Sequence, residues 1–484
     1  MKLNLFKWFL YNLLGKFFPP LVGVLTIPYL LDVMGKQLFG EFGALMTILV
    51  LLSILDFGIT KAIVKDVASK RRELLDGIGS YSSMFWQSYA FQFLMGFVGA
   101  ALLLVLVHQL EWQSKANLIN LDSSTHVILL LMFIPIIVSS GVSRAFLEGN
   151  NKFKELNLIR APFSILVYLS PLFVVYAIGD NSTIVLMALG VRALESLVLT
   201  IYVCNKEKLF NRPEFSFYYV ALLMPFGVWV MLSNIVNPLV AYGERLVIIG
   251  TNGLSEFSSY YIAIELVTKS LIIVSALATA SFSLESRLSS QGIKKSLITN
   301  LRFVVASFYI LISLLTYFEG EWILNVWLNV NNAQQIFSVV LILSIGLVFN
   351  AVSHTLLSTA YSLGRSFYIF ISYLAQLPVY ILAVYLSAKY FGLSGVAFIW
   401  VGRVIVDFLV LWVLSSKASF RSTCFDLVYF LFICLIFSSI MFYFFYHISE
   451  NIYNIWYRAG SYSLFLMTLF MLIFFVNNIK MEAK

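Results

Sequence analysis

Three cations lie inside long apolar stretches of this sequence, where an ionisable group is costly to place. Lys16 and Arg160 have no acidic residue three or four positions away, so a neighbour on the same helix face cannot neutralise them. Arg245 follows Glu244 near the end of another apolar stretch. Because ammonium and guanidinium groups bind phosphate oxygens, these cations are candidate ligands of a pyrophosphate headgroup. Other interpretations are open for each cation. Lys16 and Arg160 could instead extend their charged ends to the membrane interface, and Arg245 could be a plain salt bridge or an interface anchor.

The remaining intramembrane charges include three pairs spaced by about one helical turn: Arg192 with Glu195, Glu265 with Lys269, and Arg403 with Asp407. Each pair can neutralise itself on one helix face, which favours a structural role. The alternative is a role in transport. In that case Arg403 joins the substrate-binding cations, and Glu265, Asp407 and Asp56 are candidate sites for a coupling ion.

The composition places these charges in a membrane protein. Hydrophobic residues make up 60% of the chain and charged residues 12%, and the mean hydropathy is +0.90. Soluble domains are typically about a quarter charged, so an all-α integral membrane protein is expected. The net charge of +8 could indicate nucleic-acid binding, but the chain has too little soluble sequence to carry a basic face.

Neither the cysteines nor the histidines are spaced as metal ligands or as a disulfide framework: Cys204, Cys424, Cys434, His108, His126, His354 and His447. The sequence therefore predicts no metal site and no cofactor. Residues 1–16 have a basic head and an apolar run but no small-x-small cleavage site, which predicts an uncleaved first span.

A helix that crosses a bilayer needs about 20 mostly apolar residues. This rule predicts fourteen spans: 8–31, 37–59, 83–108, 125–147, 155–177, 182–203, 218–242, 257–282, 303–318, 335–358, 366–388, 394–416, 426–446 and 460–477. Of the lysines and arginines near span ends, 21 fall on the side of the termini and four on the other. Since such cations accumulate in cytoplasmic loops, both termini are expected in the cytoplasm.

The sequence contains a weak internal repeat at an offset of 218 residues, which aligns 33–45 with 251–263: Gly35 with Gly253, Phe39 with Phe257, and Phe42 with Tyr260. The same offset pairs Pro20 with Pro238, and these prolines are expected to interrupt the first span of each half and to act as hinges. The predicted domains are two pseudo-symmetric six-span lobes, 1–210 and 211–420, followed by a helix pair at 421–484.

Two segments carry a resemblance to a known family. PYLLDVMGKQLFGEFGALMTILVLLSILDFGITKAIVKDVA (residues 28–68) resembles the opening signature of the polysaccharide-repeat-unit flippases, and ERLVIIGTNGLSEFSSYYIA (residues 244–263) resembles the segment that opens their second half. These flippases belong to the multidrug/oligosaccharidyl-lipid/polysaccharide exporter superfamily. The resemblance implies a multidrug-exporter-like fold in the bacterial cytoplasmic (inner) membrane. It also implies alternating access that carries a polyprenyl-pyrophosphate-linked oligosaccharide to the outer leaflet, for surface polysaccharides such as O-antigen. Polymerase and chain-length proteins of that pathway are the implied partners.

Two other functions compete with a flippase. A drug or cation antiporter of the same fold should have an acidic cavity, whereas the unpartnered buried charges in this sequence are basic. An integral membrane polymerase or glycosyltransferase should have a large exposed loop or a catalytic acid motif, and the predicted loops are short. The sequence also lacks a phosphate-binding glycine loop for ATP.

Overall fold

The computed structural model describes residues 2–51, 55, 59–68, 81–114, 124–150, 152–178, 183–207, 209, 218–275, 295–328, 333–416 and 420–451, with side chains from Phe18 onward for most of them. In order, the helices are α1 (Lys2–Leu51), α2 (Ile59–Ala68), α3 (Tyr81–Ser114), α4 (Ser124–Gly149), α5 (Phe153–Phe173), α6 (Ile184–Glu207), α7 (Tyr218–Lys269), α8 (Lys295–Leu328), α9 (Ala333–Ser362), α10 (Ser366–Leu414) and α11 (Phe420–Asn451). A single π-helical turn, Val174–Ile178, continues α5.

Ten helices within these ranges are long and apolar enough to cross a membrane. This confirms the prediction of an all-α, multi-pass membrane protein. Three of them, α1, α7 and α10, each contain residues of two consecutive predicted spans. The last predicted span, 460–477, lies outside the described residues.

Each of these three helices is divided at a glycine with positive φ. The angles are 69° at Gly35 in α1, 82° at Gly253 in α7 and 63° at Gly392 in α10. Residues other than glycine rarely adopt these backbone angles, so each turn requires a glycine. The predicted connections between these spans are therefore tight glycine turns.

The glycine turns of α1 and α7 support the internal repeat. Gly35 has φ 69° and ψ 170°, and Gly253 has φ 82° and ψ 172°, so the aligned residues share one unusual conformation. The aromatic residues aligned with them are all buried: Phe39, Phe42, Phe257 and Tyr260. Two stretches of sequence with little identity thus form the same broken helix, packed through the same positions.

The expected interruption at the prolines is wrong. α1 passes through Pro20 and α7 passes through Pro238 with helical backbone, and within each helix the non-helical angles occur at the glycine. Neighbouring helices can satisfy the carbonyl that a membrane proline leaves without its bond, so the helix need not break there. A hinge role for the two prolines during transport stays a prediction.

The ninth predicted span is too short. It was bounded at 303–318, whereas α8 runs over Lys295–Leu328. Glu319, Gly320 and Glu321 end the apolar run and so ended the predicted span, but a helix can continue beyond the apolar core of the bilayer.

The helices pack mainly with others from their own half of the chain. α4 packs on α3 and α6, and α5 packs on α1 and α6; α10 packs on α7 and α9, and α9 packs on α8. The N-terminal half (residues 2–207) and the C-terminal half (residues 218–416) meet chiefly where α1 packs against α7. At that contact a Cβ atom on Gly40 would collide with the carbonyl oxygen of Leu254, so the two backbones touch.

Candidate functional site

A cavity of about 570 Å³ lies between α7, α9 and α10. Its polar and charged lining comes from the C-terminal half: Asn237, Tyr242, Arg245, Glu265, Thr268, Lys269, Ser275, Asn350, Ser353, His354, Tyr373, Arg403 and Asp407. The described lining from the N-terminal half is Val50 of α1. Pro238, one of the two predicted hinges, also lines this cavity.

The glycine turn in α7 builds an ionic triad on the cavity wall. Arg245 precedes Gly253, and Glu265 and Lys269 follow it, so the turn brings the two segments of one helix side by side. Arg245 Nη1 donates to Glu265 Oε1 at 3.0 Å, and Lys269 Nζ lies 2.9 Å from Glu265 Oε2. The expected pair of Glu265 with Lys269 is thus confirmed, and Arg245 joins it.

Both cations of the triad also reach the N-terminal half. Arg245 Nη1 lies 3.4 Å from Thr47 Oγ1 on α1, and Lys269 Nζ lies 3.4 Å from the hydroxyl of Tyr168 on α5. The Arg245 guanidinium stands over the ring of Tyr242, at 4.8 Å from its centroid. The triad therefore sits at the contact between the two halves as well as on the cavity wall.

A second charged cluster faces the cavity from α10. The Arg403 guanidinium lies over the rings of Tyr380 and Trp400, at 5.4 and 5.9 Å from their centroids. Asp407 is one turn further along the same helix and interacts with Arg403 electrostatically. Arg403 Nε and Asp407 Oδ1 have no hydrogen-bond partner, however, and the direct ion pair expected from their spacing is not formed.

Glu244 is a buried carboxylate that the sequence interpretation left without a role. Its side chain is fully buried beside the Tyr380 hydroxyl, and it interacts electrostatically with Arg245 and Arg403. In and beside the cavity the described charges are therefore three cations and three carboxylates: Arg245, Lys269, Arg403, Glu244, Glu265 and Asp407. The expectation that the unpartnered charges are all basic is wrong.

Arg160 does have an acidic partner. Its Nε donates to Glu195 Oε1 at 3.0 Å, from α5 to α6, so Glu195 pairs with Arg160 and not with Arg192 as its spacing suggested. The partner is 35 positions away on another helix, beyond the reach of an argument from helical spacing. Arg160 is not among the residues that line the cavity.

The structure brings together Arg245, Arg403, Glu265 and Asp407 of the predicted site residues, around one cavity. Lys16 and Asp56 lie outside the described side chains. Sequence reasoning missed Thr47 and Glu244, although a signal existed for both. The repeat offset aligns Thr47 with Glu265, and Glu244 stands next to an arginine already singled out.

The cations on the cavity wall could bind an anion. Within the described residues there is no cluster of three or more side chains that could hold a metal. Two adjacent cations, Arg245 and Lys269, point to a common acceptor, and Arg403 lies on the same cavity. A phosphate group could accept charge-assisted hydrogen bonds from all of these donors.

Comparison with known proteins yields one family. Residues 5–289, more than half of the chain, match the family described as "Polysaccharide biosynthesis protein". A relative from Shigella flexneri, named "Putative O-antigen transporter", is 26% identical over 424 residues, which cover 86% of this chain and 99% of the relative.

Solved structures share the fold at lower identity. One described as lipid II flippase MurJ in an inward closed conformation superposes with a TM-score of 0.68 at 16% identity, over 97% of this chain and 99% of that chain. A MATE structure in complex with MaD5 gives a TM-score of 0.55 at 14% identity, over 90% and 96%. A transporter of the MOP superfamily from Pyrococcus furiosus gives 0.55 at 15% identity, over 84% and 94%.

These likenesses agree with the fold and the protein class predicted from the sequence. The multidrug-exporter-like architecture is found in the MATE structure, and the relatives named by activity are a transporter and a flippase rather than enzymes. The family match covers both helices that carry the repeat, α1 and α7. The chain is therefore a member of the polysaccharide biosynthesis protein family, the group that its two sequence segments resemble.

Proposed function

We propose that this protein is a flippase that carries a lipid-pyrophosphate-linked oligosaccharide repeat unit from the cytoplasmic to the outer leaflet of the bacterial inner membrane, for the assembly of surface polysaccharide. The observation that carries the proposal is the pair of adjacent cations, Arg245 and Lys269, on the wall of an intramembrane cavity. Ionisable residues inside a membrane commonly mark a substrate pathway, and these two cations face the cavity. The relative named as an O-antigen transporter supports the substrate class.

The proposed architecture is the two-lobed one. Residues 1–210 and 211–420 form six-span lobes, residues 421–484 add a helix pair, and the total is fourteen spans. The matching glycine turns of α1 and α7 support two equivalent halves. Transport then proceeds by alternating access, in which the halves separate on one side of the membrane and close on the other around a central site.

The site residues have separate roles in this scheme. Arg245, Lys269 and Arg403 hold the pyrophosphate, while Glu265 and Asp407 exchange a coupling ion. Lys16 is proposed to meet the same headgroup from α1. Roles for Arg160 in binding and for Asp56 in coupling stay predictions, and the Arg160–Glu195 pair favours a structural role for Arg160. Polymerase and chain-length proteins remain the proposed partners.

Complementation tests the function. In cells that lack the gene, surface polysaccharide should disappear while lipid-linked repeat units accumulate, and the intact chain should restore export. Lys269→Ala should restore much less at equal membrane protein levels. The matched control is Lys152→Ala, since Lys152 also pairs with a glutamate, Glu207, but away from the cavity.

The same cells separate the two alternatives. An antiporter would change drug resistance and leave the repeat units on their normal route to the surface. A polymerase or glycosyltransferase would alter the structure of the repeat unit or the length of the polymer. Either result, with normal translocation of repeat units, would refute the proposed function.

The orientation is tested by cysteine labelling. With both termini in the cytoplasm, cysteines at Ser69 and Ser290 should be shielded from impermeant thiol reagents in intact cells, whereas cysteines at Gln113 and Asn332 should react. Labelling of the first pair from outside would reverse the topology.

A further inference from the structure

Glu265 occupies the position that a bound anion would take. Its two oxygens are shared between two cations, with Oε1 at 3.0 Å from Arg245 Nη1 and Oε2 at 2.9 Å from Lys269 Nζ. A phosphate group offers oxygens of the same charge at a similar spacing. The carboxylate faces the 570 Å³ cavity, so it stands on the route by which such a group would approach the two cations.

The net charge of the triad makes the Glu265 carboxylate and a bound pyrophosphate compete for the same two cations. Arg245, Lys269 and Glu265 together carry a net charge of +1 when all are ionised. A pyrophosphate diester carries about two negative charges, so adding it beside Glu265 would leave an excess of negative charge in a buried site. If the phosphate takes over both cations, each cation keeps an anionic partner, and the displaced Glu265 carboxylate is neutralised by the coupling ion that it is proposed to exchange.

We infer that Glu265 is an internal counter-anion, which neutralises the two cations of the empty site, is displaced from them by the pyrophosphate of the substrate, and returns to expel it. This inference rests on the proposed function. Without the carboxylate, two neighbouring cations in the membrane interior would lose the one anion that both contact. With it, binding is an exchange of partners, and an exchange can be reversed at release.

The contacts of the triad connect this exchange to the two halves. The same Arg245 nitrogen that donates to Glu265 lies 3.4 Å from Thr47, and Lys269 lies 3.4 Å from Tyr168. A phosphate that repositions either cation therefore acts on a contact between the N-terminal and C-terminal halves. In alternating access α7 must move relative to α1 and α5, and the exchange of anions changes the contacts of α7 with both helices.

Glu265→Gln tests the inference in the purified full-length protein. Glutamine keeps the shape of the side chain and removes its charge, so the two cations lose their internal competitor. With inorganic pyrophosphate as the probe in calorimetric titration, the variant should bind about tenfold tighter than the parent or more. In cells it should export less polysaccharide, because the group that expels the headgroup is gone.

The matched control is Glu207→Gln. Glu207 also pairs with a partly buried lysine, Lys152, and its side chain is 7% exposed against 13% for Glu265, but it does not line the cavity. Pyrophosphate affinity should be unchanged in this control. If both variants bind more tightly, the gain is a general effect of net charge and the inference is wrong.

The remaining outcomes are distinct. Failure of the parent and of both variants to bind pyrophosphate would remove the phosphate site and with it the proposed function. Binding by the parent with unchanged or weaker affinity in folded Glu265→Gln would leave the proposed function standing and overturn the counter-anion. If that variant does not fold, Glu265→Asp replaces it: the shorter carboxylate cannot bridge both cations, so affinity should rise a few-fold. No rise in Glu265→Asp overturns the inference.

Farnesyl pyrophosphate distinguishes a lipid headgroup from a free phosphate as the ligand. A lipid-linked substrate requires that this compound displace inorganic pyrophosphate from the parent and bind more tightly to Glu265→Gln, because the headgroup contacts are the same. Absence of displacement would show that the triad takes free phosphate alone, which contradicts the exchange with a lipid carrier.

Discussion

The two broken helices of this protein, residues 23–51 of α1 and 241–269 of α7, share a backbone and differ in charge. Their turns, at Gly35 and Gly253, have nearly the same φ and ψ. At the repeat offset the charged residues of the α7 triad align with uncharged residues of α1: Arg245 with Ile27, Glu265 with Thr47, and Lys269 with Leu51. One scaffold is thus used twice, and in the described residues the ionic site is built on one copy.

Two threonines of α1 that align with charged residues of α7 bond to their own helix. Thr26, which aligns with Glu244, donates to the carbonyl oxygen of Gly23 at 2.9 Å, and Thr47 donates to the carbonyl oxygen of Gly43 at 2.9 Å. Such hydroxyl-to-carbonyl bonds within a helix need no partner from elsewhere. The charges of α7, in contrast, must find one another across the glycine turn. The shared backbone therefore comes from the turn and its packing, whereas the ionic triad comes from the residues of α7.

Arg245→Ile gives α7 the residue of α1 and should have the largest effect. The substitution removes one of two cations from the phosphate site and leaves Glu265 with Lys269 alone. Charge-assisted bonds contribute roughly 1.5–3 kcal/mol each, and this arginine makes more than one contact, so export should fall by about two orders of magnitude. Surface polysaccharide at matched membrane levels of protein measures the loss. Near-parental export would move the phosphate site to the first part of α1, where Lys16 is the candidate.

The turns themselves can be compared by Gly35→Ala and Gly253→Ala. At both glycines the position that an added Cβ would take has no atom within 4 Å, so the cost should come from the positive φ alone. That strain is on the order of 1–3 kcal/mol for each residue, and it should be similar in the two halves. Melting temperatures in detergent measure it. Gly250→Ala is the control, because Gly250 is helical, has ordinary φ and equally open space, and should be neutral or slightly stabilising. A loss at one turn only would contradict the repeat.

Much of this scaffold could be predicted from the sequence. Membrane spans are apolar runs of a length set by the bilayer, and a glycine flanked by aligned aromatic residues marks the same turn in both halves. The prolines misled because their effect depends on neighbours that satisfy the freed carbonyl, and a local pattern does not contain that information. The end of α8 misled for a related reason: Glu319 and Glu321 end an apolar run without ending a helix.

The candidate site was less predictable. Pairing by helical spacing found Glu265 with Lys269, since those residues share one helix segment, but it assigned Glu195 to Arg192 and Asp407 to Arg403. The observed partners of Arg160 and Arg245 come from another helix and from across a turn. Such contacts depend on how helices are placed against one another, which the spacing of residues along one helix does not specify.

The next variant exchanges the residues at one pair of aligned positions. In Thr47→Glu/Glu265→Thr the carboxylate moves to the α1 copy, where Thr47 already lies 3.4 Å from Arg245 Nη1. Arg245 should keep an acidic partner while Lys269 loses its own. Membrane expression should therefore recover relative to Glu265→Thr alone, whereas export should stay about tenfold below the parent, because one of two charge-assisted contacts is missing. Full recovery of export would show that the half from which the carboxylate comes is immaterial.

Thr47→Val should have the smallest effect, and its size measures how far the two copies act together. The bond from Arg245 to Thr47 is long at 3.4 Å, and Arg245 keeps Glu265 at 3.0 Å, so its loss should cost no more than about 1 kcal/mol. Export should fall a few-fold at most. Thr26→Val is the matched control. Thr26 makes the same kind of bond to its own helix, and among the described residues it has no hydrogen bond to an arginine. If both variants lose export equally, the cause is the helix bond that they share. A different result would be a loss of export in Thr47→Val alone that equals the loss in Arg245→Ile. Arg245 would then act mainly by holding α7 against α1, and phosphate would bind elsewhere.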